Sequence, residues 1–293
     1  MSLPRRIQRL TGRHALADGI PFTLPVDSVD CPVLLAGFTV DAAAASSLLP
    51  GEELHLVRLP GGRGLLLVTV IDYRTTDIGR YVEFSIALAC THGHKPKSLL
   101  PTVAFQRWSR VGQYVWDLPV SSLVSVKGGK GIWGMPKHQA NLDFRVDDRE
   151  MSSQYDLDGR LCMRITVARS KGPKIRLSSF PAVNYCQFRG LLMKSTIYFS
   201  GEVEIGVGPS AKAQLLLGDH HRMDPLRVLD ISSRPLLTLT LPHVSGALDD
   251  HFEGWLLTSR APLDPDDPPP GLETVVDLPN DESWLASPTA AGR

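Results

Sequence analysis

Apolar and polar residues alternate with a period of two along most of this chain, which predicts strands far more often than helices. The clearest instance is Tyr81-Val82-Glu83-Phe84-Ser85-Ile86-Ala87-Leu88. Val82, Phe84, Ile86 and Leu88 fall on one face, and Tyr81, Glu83, Ser85 and Ala87 on the other. The apolar face is expected to pack against a core. The smaller, more polar face around Glu83 suits either solvent or the interior of a ligand-holding barrel. Further strands are predicted at Val33–Val40, Leu54–Leu59, Gly64–Asp72, Leu99–Gln106, Tyr114–Leu118 and Ala140–Val146. The series continues at Ser152–Asp156, Leu161–Ala168, Leu191–Phe199, Val203–Val207, Gln214–Leu217 and Leu236–Leu241. Gly61-Gly62 is read as a turn and Asp156–Gly159 as a hairpin turn.

Helical spacing is confined to short stretches. Asp41 is placed to cap a helix over the alanines that follow, with Pro50-Gly51 as its stop. Pro119–Val126 has Val120, Leu123 and Val124 at helical spacing, and Gly128 and Gly129 are expected to end it. One or two turns are read at Asp224–Leu229 and a last helix at Ser245–Leu257. Many short strands with few helices imply a mainly antiparallel α+β fold of barrel-like architecture. Residues 1–30, with Pro21-Phe22-Thr23-Leu24-Pro25, are expected to form an extended N-terminal arm. Residues 31–261 form the domain, and the Pro/Asp-rich residues 262–293 are expected to be a flexible tail.

Composition narrows the function. With 293 residues, 43% hydrophobic and 21% charged, the chain can bury a sizeable core. A formal net charge of zero argues against nucleic acid or an anionic membrane as the main partner, so a small molecule is expected instead. Cys31, Cys90, Cys162 and Cys186 are widely spaced, without a C-x-x-C pair, and are expected to be reduced thiols. No apolar run reaches membrane-spanning length, and residues 1–13 lack the apolar core of a secretory signal. A cytoplasmic location is expected.

No phosphate-binding glycine fingerprint, G-x-S-x-G elbow or H-E-x-x-H motif is present. His92 and His94 have no acidic or thiol partner in their loop, and His220-His221 beside Asp219 read as structural histidines. No metal and no cofactor is therefore expected. The stretch richest in chemistry is Gly128-Gly129-Lys130-Gly131-Ile132-Trp133-Gly134-Met135-Pro136-Lys137-His138. It surrounds Lys137 with apolar bulk and flexible backbone. Burial there disfavours the charged amine and favours a nucleophilic one. The plain alternative is a surface turn carrying a solvated amine.

Gly129-Lys130-Gly131-Ile132-Trp133-Gly134-Met135-Pro136-Lys137 resembles the G-R-E-(I/L)-x-(G/A)-(F/Y)-P-K signature of the acetoacetate decarboxylase family. Ile78-Gly79-Arg80-Tyr81-Val82-Glu83 resembles that family's G-x-Y-x-E segment, and Gly208-Pro209-Ser210 with Gln214–His220 resembles a third segment. The resemblance implies a cone-like β-barrel, a homo-oligomer, Lys137 as Schiff-base nucleophile and Glu83 as its acidic partner. Trp133 and Met135 would keep the pocket dry, and Tyr81 and His138 would be substrate neighbours.

The departures from the family pattern are informative. His138 stands where true acetoacetate decarboxylases carry a second lysine, and Gly131 replaces the signature's glutamate. The family's other acidic residue falls at Val68 and its arginine at Asp30. The expected function is a cofactor-independent Schiff-base lyase acting on a small carbonyl or β-keto acid compound. Without the carboxylate-binding machinery, aldol, dehydration or cyclisation chemistry on a larger carbonyl compound becomes the better expectation than decarboxylation of acetoacetate. A non-catalytic ligand-binding barrel or assembly scaffold is the competing class.

Overall fold

The computed structural model describes residues 12–15, 19–93, 95, 111–170, 174–188, 190–249, 253–257 and 285–288. The predicted Leu99–Gln106 strand lies outside the described residues, as does the tail apart from 285–288. Seven strands close into a barrel: β1 (Val33–Asp41), β2 (Arg63–Tyr73), β3 (Tyr81–His92), β4 (Val111–Val120), β5 (Lys174–Phe188), β6 (Leu191–Val207) and β7 (Pro235–Leu241). Neighbours pair in chain order, and β7 returns to β1 through Leu239↔Leu35 and Leu241↔Val33. All pairs are antiparallel except β4–β5, which is parallel because a second sheet intervenes in sequence.

Period-two patterning gives this barrel two faces. Outward-facing Phe84, Ile86 and Leu88 of β3 and Leu66, Val68 and Val70 of β2 pack against Tyr155, Met163 and Ile165. Those last three belong to the Glu150–Leu157 and Arg160–Ala168 strands of the second sheet, joined by a two-residue turn. In that turn Asp158 and Gly159 both have positive φ, of 52° and 74°. Inward-facing residues, Glu83 and Ser85 among them, line a cavity. The face around Glu83 is therefore barrel interior.

Helices among the described residues are few and short: α1 (Ala42–Ser46), α2 (Leu123–Trp133) and α3 (Asp224–Arg227). Asp41 caps α1 as expected, accepting from the Ala44 N–H at 2.7 Å. Three expectations are corrected. First, Gly128 and Gly129 do not end the helix that precedes Lys137. It starts later, at Ser122, whose hydroxyl accepts from the Ser125 N–H, and runs through the glycines to Trp133.

Second, Ser245–Leu257 is not a helix. Val244–Leu248 and Glu253–Leu256 are strands that pair with the N-terminal half of β6, whose C-terminal half pairs with β7. β6 is long enough to need both sets of partners. Third, β5 has no counterpart in the sequence reading. A register shift between Leu177 and Phe180, with Ser179 at φ 49°, moves its cavity-facing set from Ile175 and Leu177 to Phe180, Ala182 and Asn184. That slip erases the alternation. Residues 21–24 pair with 12–15 as a strand, and the Ala286 carbonyl of the segment 285–288 accepts from the Asn141 amide.

Candidate active site

Helix α2 and the strand Lys137–Gln139 deliver the lysine. Gly134 closes the helix in the left-handed region at φ 60°, its N–H returning to the Lys130 carbonyl at 3.0 Å. Pro136 then blocks further helix, and Lys137–Gln139 pairs parallel to the end of β4, with Lys137 opposite Leu118. On the other side of β4, Val120 sits opposite Glu83 of β3. The two candidate side chains thus arrive from strands flanking β4. Lys137 Nζ lies 2.8 Å from Glu83 Oε2, with the side chains only 3% and 10% exposed.

Close packing fixes the lysine. A β-carbon on Gly129 would lie 2.2 Å from Lys137 Cδ and 2.6 Å from Cε, so the aliphatic stem rests on bare helix backbone. The Tyr81 ring lies beneath the amine, its centroid 4.7 Å from Nζ, and stacks on Tyr73 at 4.6 Å. Burial first, and then the Glu83 carboxylate, holds both phenols well above their ordinary range, so both remain protonated. Their hydroxyls have no hydrogen-bond partner among the described residues.

Lys137 and Glu83 face a cavity of about 600 Å³ inside the barrel. Trp133 and Met135 line it, and the Trp133 indole N–H is anchored on the Asp249 carbonyl. Most of the wall is aliphatic. The polar lining includes Thr69, Ser85, Gln113, Asn184 and Ser195.

His138 is not part of this cavity. Being next to Lys137 on a strand, it points to the opposite face, where Nε2 lies 3.0 Å from Asp117 Oδ1. Arg222 grips the same carboxylate through Nε and Nη2, at 3.1 and 2.9 Å from Oδ1, and the Tyr155 hydroxyl reaches Oδ2 at 3.4 Å. Burial alone would push the Asp117 carboxyl up, but His138 and then Arg222 outweigh it and hold the value down at about 2. This cluster joins the barrel wall to the second sheet. Sequence reading missed it, although a carboxylate in the apolar strand segment Tyr114–Leu118 was a visible signal.

The other candidates serve structure. The His220 ring accepts from the Arg222 N–H, and no cluster of metal-binding side chains exists among the described residues. The His92 ring packs on Trp255 at 3.8 Å, and His94 lies outside the described residues. Val68 is buried in the outer core, and Asp30 pairs with Arg74 and His243 at the surface, so neither brings a charge to the cavity. The four cysteines are free and buried. No helix among the described residues is long and apolar enough to cross a membrane.

These features can be set against known proteins. A search of curated proteins finds no match. Solved structures do share the fold. An acetoacetate decarboxylase from Legionella pneumophila superimposes with a TM-score of 0.58 at 13% identity, over 89% of this chain and 93% of that one. Another acetoacetate decarboxylase structure gives 0.56 at 14% identity, over 80% and 90% of the two chains. The enduracididine biosynthesis enzyme MppR, complexed with pyruvate, gives 0.54 at 14% identity over 81% and 92%. The sequence model of the family described as Acetoacetate decarboxylase (ADC) matches residues 11–241, and the chain belongs to that family.

Proposed function

We propose that the protein is a lyase that forms a Schiff base between Lys137 and the carbonyl carbon of its substrate. The observation that carries the reading is a buried amine, 2.8 Å from a buried carboxylate, at the wall of a largely apolar cavity. Lys137 passes one proton to Glu83, and the amine so freed attacks the carbonyl carbon, forming the C–N bond as the C=O π pair moves to oxygen. Glu83 delivers that proton and then a second one shed by the nitrogen to the oxygen, which departs as water as the C–O bond breaks. The resulting iminium is positive where the lysine was, so its charge remains balanced by Glu83. It then accepts the electron pair of a bond broken at the adjacent carbon, giving an enamine. The departing group is CO₂, a proton or an aldehyde according to substrate. Reprotonation at carbon and hydrolysis restore Lys137.

Family membership and the MppR likeness support this reading, since MppR has also been solved with the condensation product of pyruvate and imidazole 4-carboxaldehyde. Borohydride trapping tests it. Incubation with a panel of ketones, aldehydes and β-keto acids followed by reduction is expected to leave an adduct on the Lys137 peptide, absent from Lys137→Ala. Labelling of surface lysines alone, with Lys137 untouched by every carbonyl compound, would refute the reading and favour a ligand-binding barrel.

A further inference from the structure

The shape and charge of the cavity identify the class of compound it takes. Its wall is built in tiers set by the strand registers. Glu83, Ile71, Val33 and Leu241 lie opposite one another on β3, β2, β1 and β7, and form the first tier with the lysine. Two residues along each strand, Ser85, Thr69, Leu35, Leu239 and Ile205 form the second. Two residues further, Leu67, Leu237 and Val207 form the third. At ~3.3 Å per residue, the third tier lies roughly 13 Å along the wall from the first. It reaches solvent at Val207, which is 58% exposed. An elongated apolar channel therefore runs from an open mouth to the amine.

Charge adds a second constraint. Among the described residues lining the cavity, Lys137 is the one cation, and two acidic residues, Glu83 and Asp249, line it as well. Once the lysine is committed to an iminium, a substrate carboxylate would have no cation left to neutralise it in an apolar environment. Uncharged oxygens are better served. The Thr69 and Ser195 hydroxyls are shielded from solvent, border the cavity and have no hydrogen-bond partner among the described residues.

We infer that the substrate is an uncharged ketone or aldehyde with an extended, largely aliphatic chain of about eight or more carbons, its carbonyl at Lys137 and its chain along the tiers. The inference rests on the Schiff-base reading for the place of the carbonyl, but not for the occupancy of the channel. Because such a substrate carries no carboxylate, the bond broken next to the iminium is C–H, or the C–C bond of an aldol. In the first case the proton goes to Glu83 and the electron pair to the enamine, whose carbon can add to a second carbonyl group. This is aldol, dehydration or cyclisation chemistry rather than loss of CO₂.

The test separates occupancy from reactivity. Calorimetry with 2-alkanols, from 2-butanol to 2-dodecanol, reports the channel alone, because alcohols cannot form an imine. Affinity is expected to rise by about fourfold per added methylene. Alkanoates of matched length are expected to bind at least tenfold more weakly. In parallel, borohydride trapping of the matching 2-alkanones is expected to show the same rise in labelling efficiency at Lys137. Val207→Trp, at the exposed mouth where folding is least at risk, and Ile205→Trp, in the second tier, are each expected to shift the optimum to shorter chains. A flat dependence on chain length, or tighter binding of alkanoates, overturns the inference even if Lys137 labels well. A steep alkanol series with no adduct from any ketone leaves the channel's ligand class standing and refutes the Schiff-base reading instead.

Discussion

Two adjacent glycines of α2 offer a sharp test of how the lysine is held. In Gly129→Ala the added methyl would meet the Lys137 stem at 2.2, 2.6 and 2.9 Å from Cδ, Cε and Cγ. Comfortable carbon contacts lie at about 3.5–4.0 Å, so the stem would have to move by more than an ångström. It is not free to do so: its amine is tied to Glu83 at 2.8 Å and lies over the Tyr81 ring. Overpacking of this kind costs roughly 1–3 kcal/mol, against roughly 1 kcal/mol gained from the better helix propensity of alanine. The expected net effect is a loss of about 1 kcal/mol. Gly128→Ala meets only Ile78, at 3.5 and 3.8 Å, which is ordinary contact, and should gain up to about 1 kcal/mol. Neighbouring substitutions of the same kind should therefore move the urea midpoint in opposite directions. A displaced amine should also slow adduct formation by about a hundredfold in Gly129→Ala, because a misplacement of about 1 Å has that effect on a positioned nucleophile. Equal shifts in the same direction, or undiminished labelling of Gly129→Ala, would refute the account.

Two further predictions concern the buried charges. Lys137→Met strands Glu83 without its amine and should cost about 3–5 kcal/mol, whereas Lys137→Met with Glu83→Leu should recover most of that loss, read as urea midpoints in a double-mutant cycle. Failure of the double variant to recover would show that the pair contributes more to the fold than an apolar replacement can. Asp117 has a folded value of about 2, below its ordinary 3.8. The unfolded chain therefore holds that proton more tightly. The linked stability, ~2 kcal/mol, is present above pH about 4 and is lost as pH falls towards 2. Asp117→Asn should flatten that window in acid-unfolding curves, and an unchanged acid slope would show that the carboxylate is not held down in the folded protein.

What the sequence disclosed depended on whether local pattern and tertiary demand agreed. They agreed in β3, where strict alternation placed Glu83 on the inner face and Phe84 on the outer. They agreed again at Asp158-Gly159, where the turn type demands those residues. They disagreed in α2. Glycine is a poor helix former, and a sequence reading rightly ends a helix at Gly128-Gly129. Tertiary packing overrides that preference, since only a residue without a side chain lets the Lys137 stem lie against the helix. β5 was hidden by its own irregularity, and the strand at Glu253–Leu256 by the need of β6 for a partner, which no local window can show. The His138 placement failed for a simpler reason: adjacent strand residues face opposite ways, so Lys137 and His138 could not both enter the barrel.

The opposite directions of Lys137 and His138 shape how the site is built. A barrel wall one strand thick must hold an ion pair on its apolar inner face, where the pair contributes little to stability and suffers if either partner moves. The same short strand that carries Lys137 inward carries His138 outward, onto a carboxylate already clamped by Arg222. The outer cluster is fully paired, joins the second sheet to the wall, and keeps Asp117 ionised. It therefore pins the Lys137–Gln139 segment from behind. Helix α2 pins the same segment from its start, through the Gly134 cap and the Gly129 floor. Held from both sides, the segment keeps the amine beside Glu83, as the proposed Schiff-base chemistry requires of a costly buried pair.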